Sequence, residues 1–268
     1  VNTLFFCPYW GLESLTYPEV AKRVKTAGYD GMEIAAGPDK RAEAVQVMRD
    51  NGLQLILMAF GGSSNFAEHR RAYEKDLYAI AAHKPLFINS QTGRDYFSFE
   101  QNLELIQLAL TVQQQTGVTI LHETHRGRFS YSAPGMQSYL LRQPNLRLTA
   151  DYSHWVNVAE SYLGEQTANM ERAIAVSDHI HCRVGHPEGP QVSDPRAPEW
   201  ADALETHARW WDAIRTRLQR ANAPQLTVSC EFGPPTYLPV LPYTQQPVAS
   251  QWDINLFMKD HLKKRWGV

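Results

Sequence analysis

The chain has 268 residues, 43% of them hydrophobic, which can bury a full core and comes near the size of one (β/α)8 barrel, typically about 250 residues. A formal net charge of -2 and a pI of ≈ 6.6 supply no basic excess and argue against a nucleic-acid partner. No apolar run approaches the roughly 18 residues of a membrane helix, so no membrane partner is expected. Cys7, Cys182 and Cys230 are too scattered for a disulfide framework or a paired-thiolate metal site, which favours a reducing, cytoplasmic compartment. The N-terminus lacks the basic and long apolar regions of a signal peptide, although a start at Val1 rather than Met is compatible with a leader already removed.

In chain order, strand and helix signals alternate. Residues 3 to 7 form a short apolar run that stops at Pro8, and Thr16 with Glu19 makes a capping box for a helix ending near Gly28. Residues 31 to 35 read as the second strand, Asp39 as the cap of a helix running through Met48, and residues 53 to 60 as the third strand. An amphipathic helix over 67 to 83 precedes the apolar segment 85 to 90. Ser98 and Gln101 then form another capping box before a long helix ending near Gly117. Strands are expected over 118 to 124, 146 to 152, 179 to 184 and 226 to 232. The matching helices fall near 133 to 142, 157 to 177, 199 to 221 and 250 to 265. Eight such units predict a single-domain (β/α)8 TIM barrel over 1–268, with an open doubly wound sheet as the alternative.

Glu123, Asp151, His181 and Glu231 sit at the ends of four successive apolar segments, at intervals of about 30, 30 and 50 residues, the pace of βα units. In a closed barrel these ends converge on one pocket, whereas in an open sheet they spread along a row of strands about 4.8 Å apart. Only convergence lets all four touch one ion. Strand parity turns Cys182 and Cys230 toward the helices if His181 and Glu231 face the axis, and it places His179 inward, one layer below His181. Three carboxylates and an imidazole without a thiolate favour Mn²⁺, Mg²⁺ or Co²⁺, with Zn²⁺ also compatible. Such an ion polarises a hydroxy-ketone and stabilises the enediolate left when the α-proton departs. Glu123 and Glu231 are placed to flank a small sugar and move that proton.

These motifs, HETH at 122 to 125, DYSH at 151 to 154, HIHCR at 179 to 183 and SCEFG at 229 to 233, resemble those of the xylose isomerase-like TIM-barrel superfamily. They are most similar to its sugar isomerase and epimerase branch, which includes tagatose and psicose 3-epimerases. The resemblance implies metal binding by Glu123, Asp151, His181 and Glu231, an acid/base pair of Glu123 and Glu231, and substrate binding by His154. That branch continues from H-x-H into a glycine, an acid and a substrate-binding arginine. This chain instead runs into CRVGHPEG, so Arg183 or His186 is expected to replace the contact. The same superfamily includes endonuclease IV enzymes, whose three-zinc site needs a further D-x-H pair absent from this sequence. It also includes lyases acting on inososes or keto-sugars, which share the first proton abstraction and form the main alternative to an isomerase.

Other residues have two readings. His125 is either a substrate contact or a hydrogen-bonded loop residue. Trp10, with Tyr9, is a stacking wall for a sugar face or an ordinary rim aromatic. Glu33 is expected to pair with an Arg or Lys, the alternative being that it orients a neighbouring group. The long proline-rich segments 186 to 200 and 233 to 250 act as lids, as a preformed rim, or as a subunit contact in a homo-oligomer. Neither carries a phosphate-cradling glycine pattern, which favours an unphosphorylated carbohydrate.

Overall fold

The computed structural model describes residues 1–268. Eight parallel strands pair in sequence order: β1 (Asn2–Pro8), β2 (Gly31–Ile34), β3 (Gln54–Phe60), β4 (Phe87–Gln91), β5 (Ile120–Glu123), β6 (Leu148–Ala150), β7 (Ser177–His181) and β8 (Gln225–Ser229). Residues 2 to 6 of β1 lie alongside 225 to 229 of β8 and close the barrel. Closure settles the architecture against the doubly wound sheet and brings every C-terminal strand end to one face.

Nine helices form the outer layer: α1 (Tyr17–Thr26), α2 (Pro38–Asp50), α3 (Phe66–Ala81), α4 (Phe99–Thr116), α5 (Ala133–Arg142), α6 (Ser153–Val158), α7 (Thr167–Val176), α8 (Ala201–Arg220) and α9 (Gln251–Trp266). Two capping boxes appear where the sequence places them. Thr16 N donates to Glu19 Oε2 at 2.8 Å ahead of α1, and Ser98 and Gln101 exchange bonds of 3.0 and 3.1 Å ahead of α4. Gly117 then ends α4 at φ 72, a left-handed conformation that suits glycine.

Two local expectations need correction. The cap of α2 is Gly37, with Asp39 inside the first turn. Pro38 has no N–H to satisfy and its fixed φ starts the helix two residues earlier. The helix expected over 157 to 177 is divided into α6 and α7, because Glu160 and Leu163 between them adopt φ 48 and 60, outside the right-handed helical region.

The interior has two layers. Leu4, Phe6, Ile56, Phe87 and Leu121 fill the lower barrel, while Cys182 and Cys230, both fully buried, belong to the larger core between sheet and helices. Strand parity therefore holds, and His181 and Glu231 face the axis. Above the apolar plug the interior turns polar, beginning with His179, whose ring meets Phe87 edge-on at 5.0 Å. No helix is long and apolar enough to cross a membrane.

Candidate metal centre

Glu123 and His181 are the last residues of β5 and β7, and Asp151 and Glu231 lie just past the ends of β6 and β8. Each offers one donor atom, and the four donors lie within 4.8 Å of one another. His181 Nδ1 is 2.7 Å from Glu231 Oε2, 3.8 Å from Glu123 Oε1 and 4.0 Å from Asp151 Oδ2. The shortest contact is too bent for a hydrogen bond, so His181 Nδ1 and Glu231 Oε2 are both buried without a hydrogen-bond partner.

The electrostatics fit a divalent cation. Burial, reinforced by Glu231, Asp151 and Glu33 against the pull of His181, pushes Glu123 up to about 8. Burial raises Asp151 as well, against the opposing charge of Arg183. For His181 burial works downward, yet Glu231, Glu33 and Glu123 together hold it well above its ordinary value. Crowded carboxylates facing two partnerless donor atoms form a site that a divalent ion would relieve, and the oxygen-rich, thiolate-free set fits a hard ion.

The opposite edge of His181 is also held. Its Nε2 lies 3.0 and 3.1 Å from the two oxygens of Glu33. Asn89 Nδ2 donates to Glu33 Oε1 at 2.7 Å and to Glu123 Oε2 at 3.1 Å, and Ser229 Oγ donates to Glu33 Oε2. The expected Arg or Lys partner of Glu33 is thus replaced by an imidazole, because the side chain is buried inside the barrel, at 2% exposure, where it meets His181. Burial opposes ionisation of Glu33, but His181 and His179 hold its carboxyl well below the usual range. Below this layer His179 Nδ1 is anchored on Thr227 O at 3.0 Å.

Arg183 is buried, at 2% exposure, and lies at the edge of the four-residue cluster. Its Nη2 bonds Asp151 Oδ2 and lies 3.7 Å from Glu231 Oε2. The same nitrogen donates to His154 Nε2 at 2.8 Å, and Nε donates to Ser153 Oγ at 3.2 Å. The His154 ring lies 3.9 Å from that of His125, whose Nδ1 donates to Arg126 O at 2.5 Å. Burial, then the charge of Arg183, takes His125 down to about 3.

A cavity of ≈ 290 Å³ opens above this cluster. Trp10, Glu123, His125, Arg183 and Glu231 line it, as do Glu33, Gln91 and Tyr237. His154 stands behind Arg183. His186 lies away from the cavity, with its ring 4.9 Å from that of Trp200. Sequence reasoning missed Asn89, Gln91 and Tyr237. Asn89 carried a signal, a polar residue within an apolar strand, while Tyr237 belongs to an aperiodic loop. That loop is tied down: Leu238 is buried, Tyr237 meets Trp10 edge-on at 5.0 Å, and the guanidiniums of Arg183 and Arg126 lie 4.9 and 5.1 Å from its ring centre. Its first residues form a packed rim, while residues 241 to 248 are exposed.

Comparison with solved structures covers the whole barrel. A xylose isomerase-like TIM-barrel protein from Mycobacterium smegmatis, in complex with magnesium, superposes with a TM-score of 0.63 at 9% identity, covering 97% of both chains. The chain shares the (β/α)8 TIM-barrel fold of that protein. The 3-keto-D-glucoside 4-epimerase YcjR from E. coli is similar at a TM-score of 0.65 and 13% identity, over 98% of this chain and 100% of that one. The probable 3-DHS dehydratase AsbF from Bacillus anthracis gives 0.63 and 14%, over 98% and 99%. No family model and no curated protein matches the sequence, and at these identities the likeness is one of fold.

Proposed function

We propose that the protein is a divalent-metal-dependent isomerase or epimerase of a small sugar or related hydroxy-ketone. Glu123, Asp151, His181 and Glu231 hold the ion, with Mn²⁺, Mg²⁺ or Co²⁺ favoured. The observation that carries this reading is the convergence of their four donor atoms within 4.8 Å at the C-terminal mouth of a closed barrel, where such folds place their chemistry. The bound ion supplies Lewis acidity to the substrate carbonyl and stabilises the charge that develops as the α-proton leaves.

The protein's own residues divide the remaining work. Glu123 and Glu231, from β5 and β8, take the proton from one side of the substrate and return it from the other. Burial favours a proton on Glu123 at neutral pH in the metal-free protein, while Gln91 Nε2, 3.3 Å from its Oε2, orients the carboxyl. Trp10 and Tyr237 wall the cavity with aromatic surface suited to a sugar face. Arg183 fixes Asp151 and offers a charged donor to a substrate oxygen.

A second reading, a dehydratase acting on an inosose or keto-sugar, shares the first proton abstraction. It is supported by the likeness to a dehydratase; the carboxyl that takes the α-proton would return it to the departing β-hydroxyl, which leaves as water.

Calorimetric titration with Mn²⁺ tests the site. One ion should bind the wild type, Asp151→Ala and His181→Ala should lose it, and Glu231→Gln should still load at saturating metal. Wild-type occupancy in both alanine variants would remove the basis of the assignment.

A further inference from the structure

Three arginines stand on neighbouring loops at the barrel mouth without an ion-pair partner. Arg94 follows β4, and Arg126 and Arg128 follow β5. All three are half-buried, and their hydrogen bonds go to neutral acceptors. Arg94 Nη2 donates to Gly61 O at 3.3 Å, Arg126 Nη1 to Asn157 Oδ1 at 3.2 Å, and Arg128 Nη2 to Gln91 Oε1 at 2.9 Å. Arg94 Nε and both Nε and Nη1 of Arg128 are buried and have no partner. Charged donors left unsatisfied are costly, and this chain, with net charge -2, has no general excess of cations to place there.

Arg126 and Arg128 adjoin the cavity through residues that line it, and a bond of 3.4 Å from Phe129 N to Thr92 O ties the loop of Arg128 to that of Arg94. Gln91 receives Arg128 and donates to Glu123, and Arg126 covers the Tyr237 ring; both contact residues line the cavity. Balancing the carboxylates of the metal centre does not account for them. The neutral Gln91 amide stands between Arg128 and Glu123, and Arg183 with His181 already faces the acids directly. A bound divalent ion would leave the arginines still further in surplus.

We infer that the substrate carries an anionic group, a carboxylate or a phosphate, seated against Arg94 and Arg128 on the β4–β5 side of the cavity, with its hydroxy-ketone end toward Glu123 and Glu231. The placement of that second end rests on the proposed function. Planar guanidinium forks match carboxylate and phosphate oxygens, and an anion between the two arginines supplies the acceptors their buried N–H groups lack. The mutual repulsion of Arg94 and Arg128, which adds to burial in lowering the Arg128 pKa, is relieved in the same step.

The test follows the side-chain Nε–H NMR signals of ¹⁵N-labelled full-length protein, with and without saturating Mg²⁺. Acetate, inorganic phosphate and the neutral isostere acetamide are titrated in turn. Acetate or phosphate should shift the Arg94 and Arg128 signals saturably while acetamide does not. In the Arg94→Gln/Arg128→Gln double variant, shown to be folded by its amide spectrum, anion affinity should fall about tenfold or more, as expected for charge-assisted bonds. Tighter binding of acetate points to a sugar acid, and tighter binding of phosphate to a sugar phosphate. An equal response to acetamide, the absence of saturation, or an unchanged affinity in the double variant, as for an anion held by the metal alone, overturns the inference. Mn²⁺ titration of the same samples reads the metal centre separately, so a protein that binds metal but no anion contradicts this inference and leaves the proposed function standing.

Discussion

Glu33 grips His181 from the edge of the ring opposite the candidate metal centre: its oxygens lie 3.0 and 3.1 Å from Nε2, while Glu231 Oε2 is 2.7 Å from Nδ1. A proton on Nε2 directed at Glu33 leaves Nδ1 to face Glu123, Asp151 and Glu231. This is how a carboxylate behind a ligating histidine sets its tautomer and basicity.

Replacing Glu33 with Gln removes the charge that stabilises that arrangement while keeping the shape. Metal affinity should fall by about 10- to 100-fold, the usual cost of losing such an outer partner, with Glu33→Ala at least as impaired. Calorimetric Mn²⁺ titration reads the change, and an affinity within about twofold of wild type would contradict the role.

Glu231→Gln separates holding the metal from moving the proton. At saturating metal the variant should bind an ion yet lose about 10²- to 10⁴-fold in the rate of α-proton exchange, the range expected for a positioned acid or base. Exchange at the wild-type rate would assign the transfer to other residues.

Tyr237 presents its ring, rather than a hydrogen bond, to its neighbours. Tyr237→Phe keeps the contacts with Trp10, Arg183 and Arg126 and should leave KM within about twofold. Tyr237→Ala removes an aromatic pair and cation–π contacts worth about 1 to 2 kcal/mol and should raise KM about tenfold. Equal KM values for the two variants would argue against a packed rim.

His207 gives the fold a pH dependence remote from the centre. Its Nδ1 donates to Ala203 O at 2.8 Å and its Nε2 accepts from Gly185 N at 3.3 Å, and burial takes its pKa down to about 4. A histidine depressed in the folded state leaves stability unaffected above its ordinary value near 6.5. As pH falls below that, the unfolded chain gains the proton first and stability declines until about pH 4, where the folded protein protonates too. The loss attributable to this residue is roughly 3 kcal/mol. Urea unfolding between pH 7 and pH 4 should show this decline, and a His207→Gln variant should show a shallower one.

The barrel was legible because its signals are local. Capping boxes at Thr16 and Ser98 and the polar endings of β5 and β7 each lie within a few residues of the structure they specify. Glu123, Asp151, His181 and Glu231 could be grouped because closure of the barrel brings any set of strand ends together. The partner of Glu33 was not legible, since the contact with His181 crosses the barrel between β2 and β7. Tyr237 was hidden for a related reason: its position follows from packing on Trp10 at the far end of the chain. The break between α6 and α7 depends on positive φ values at Glu160 and Leu163, residue types with no preference for that conformation.

The most direct test of metal-dependent proton transfer is NMR of ketoses and keto-sugars, including acidic and phosphorylated members, incubated in D₂O with metal-depleted protein and again after Mg²⁺ is restored. The account predicts deuterium uptake at the carbon beside the carbonyl only when metal is present, accompanied by a new isomer. Uptake coupled to loss of water would instead select the dehydratase. No uptake from any member, in protein carrying its metal, would contradict the proposed chemistry.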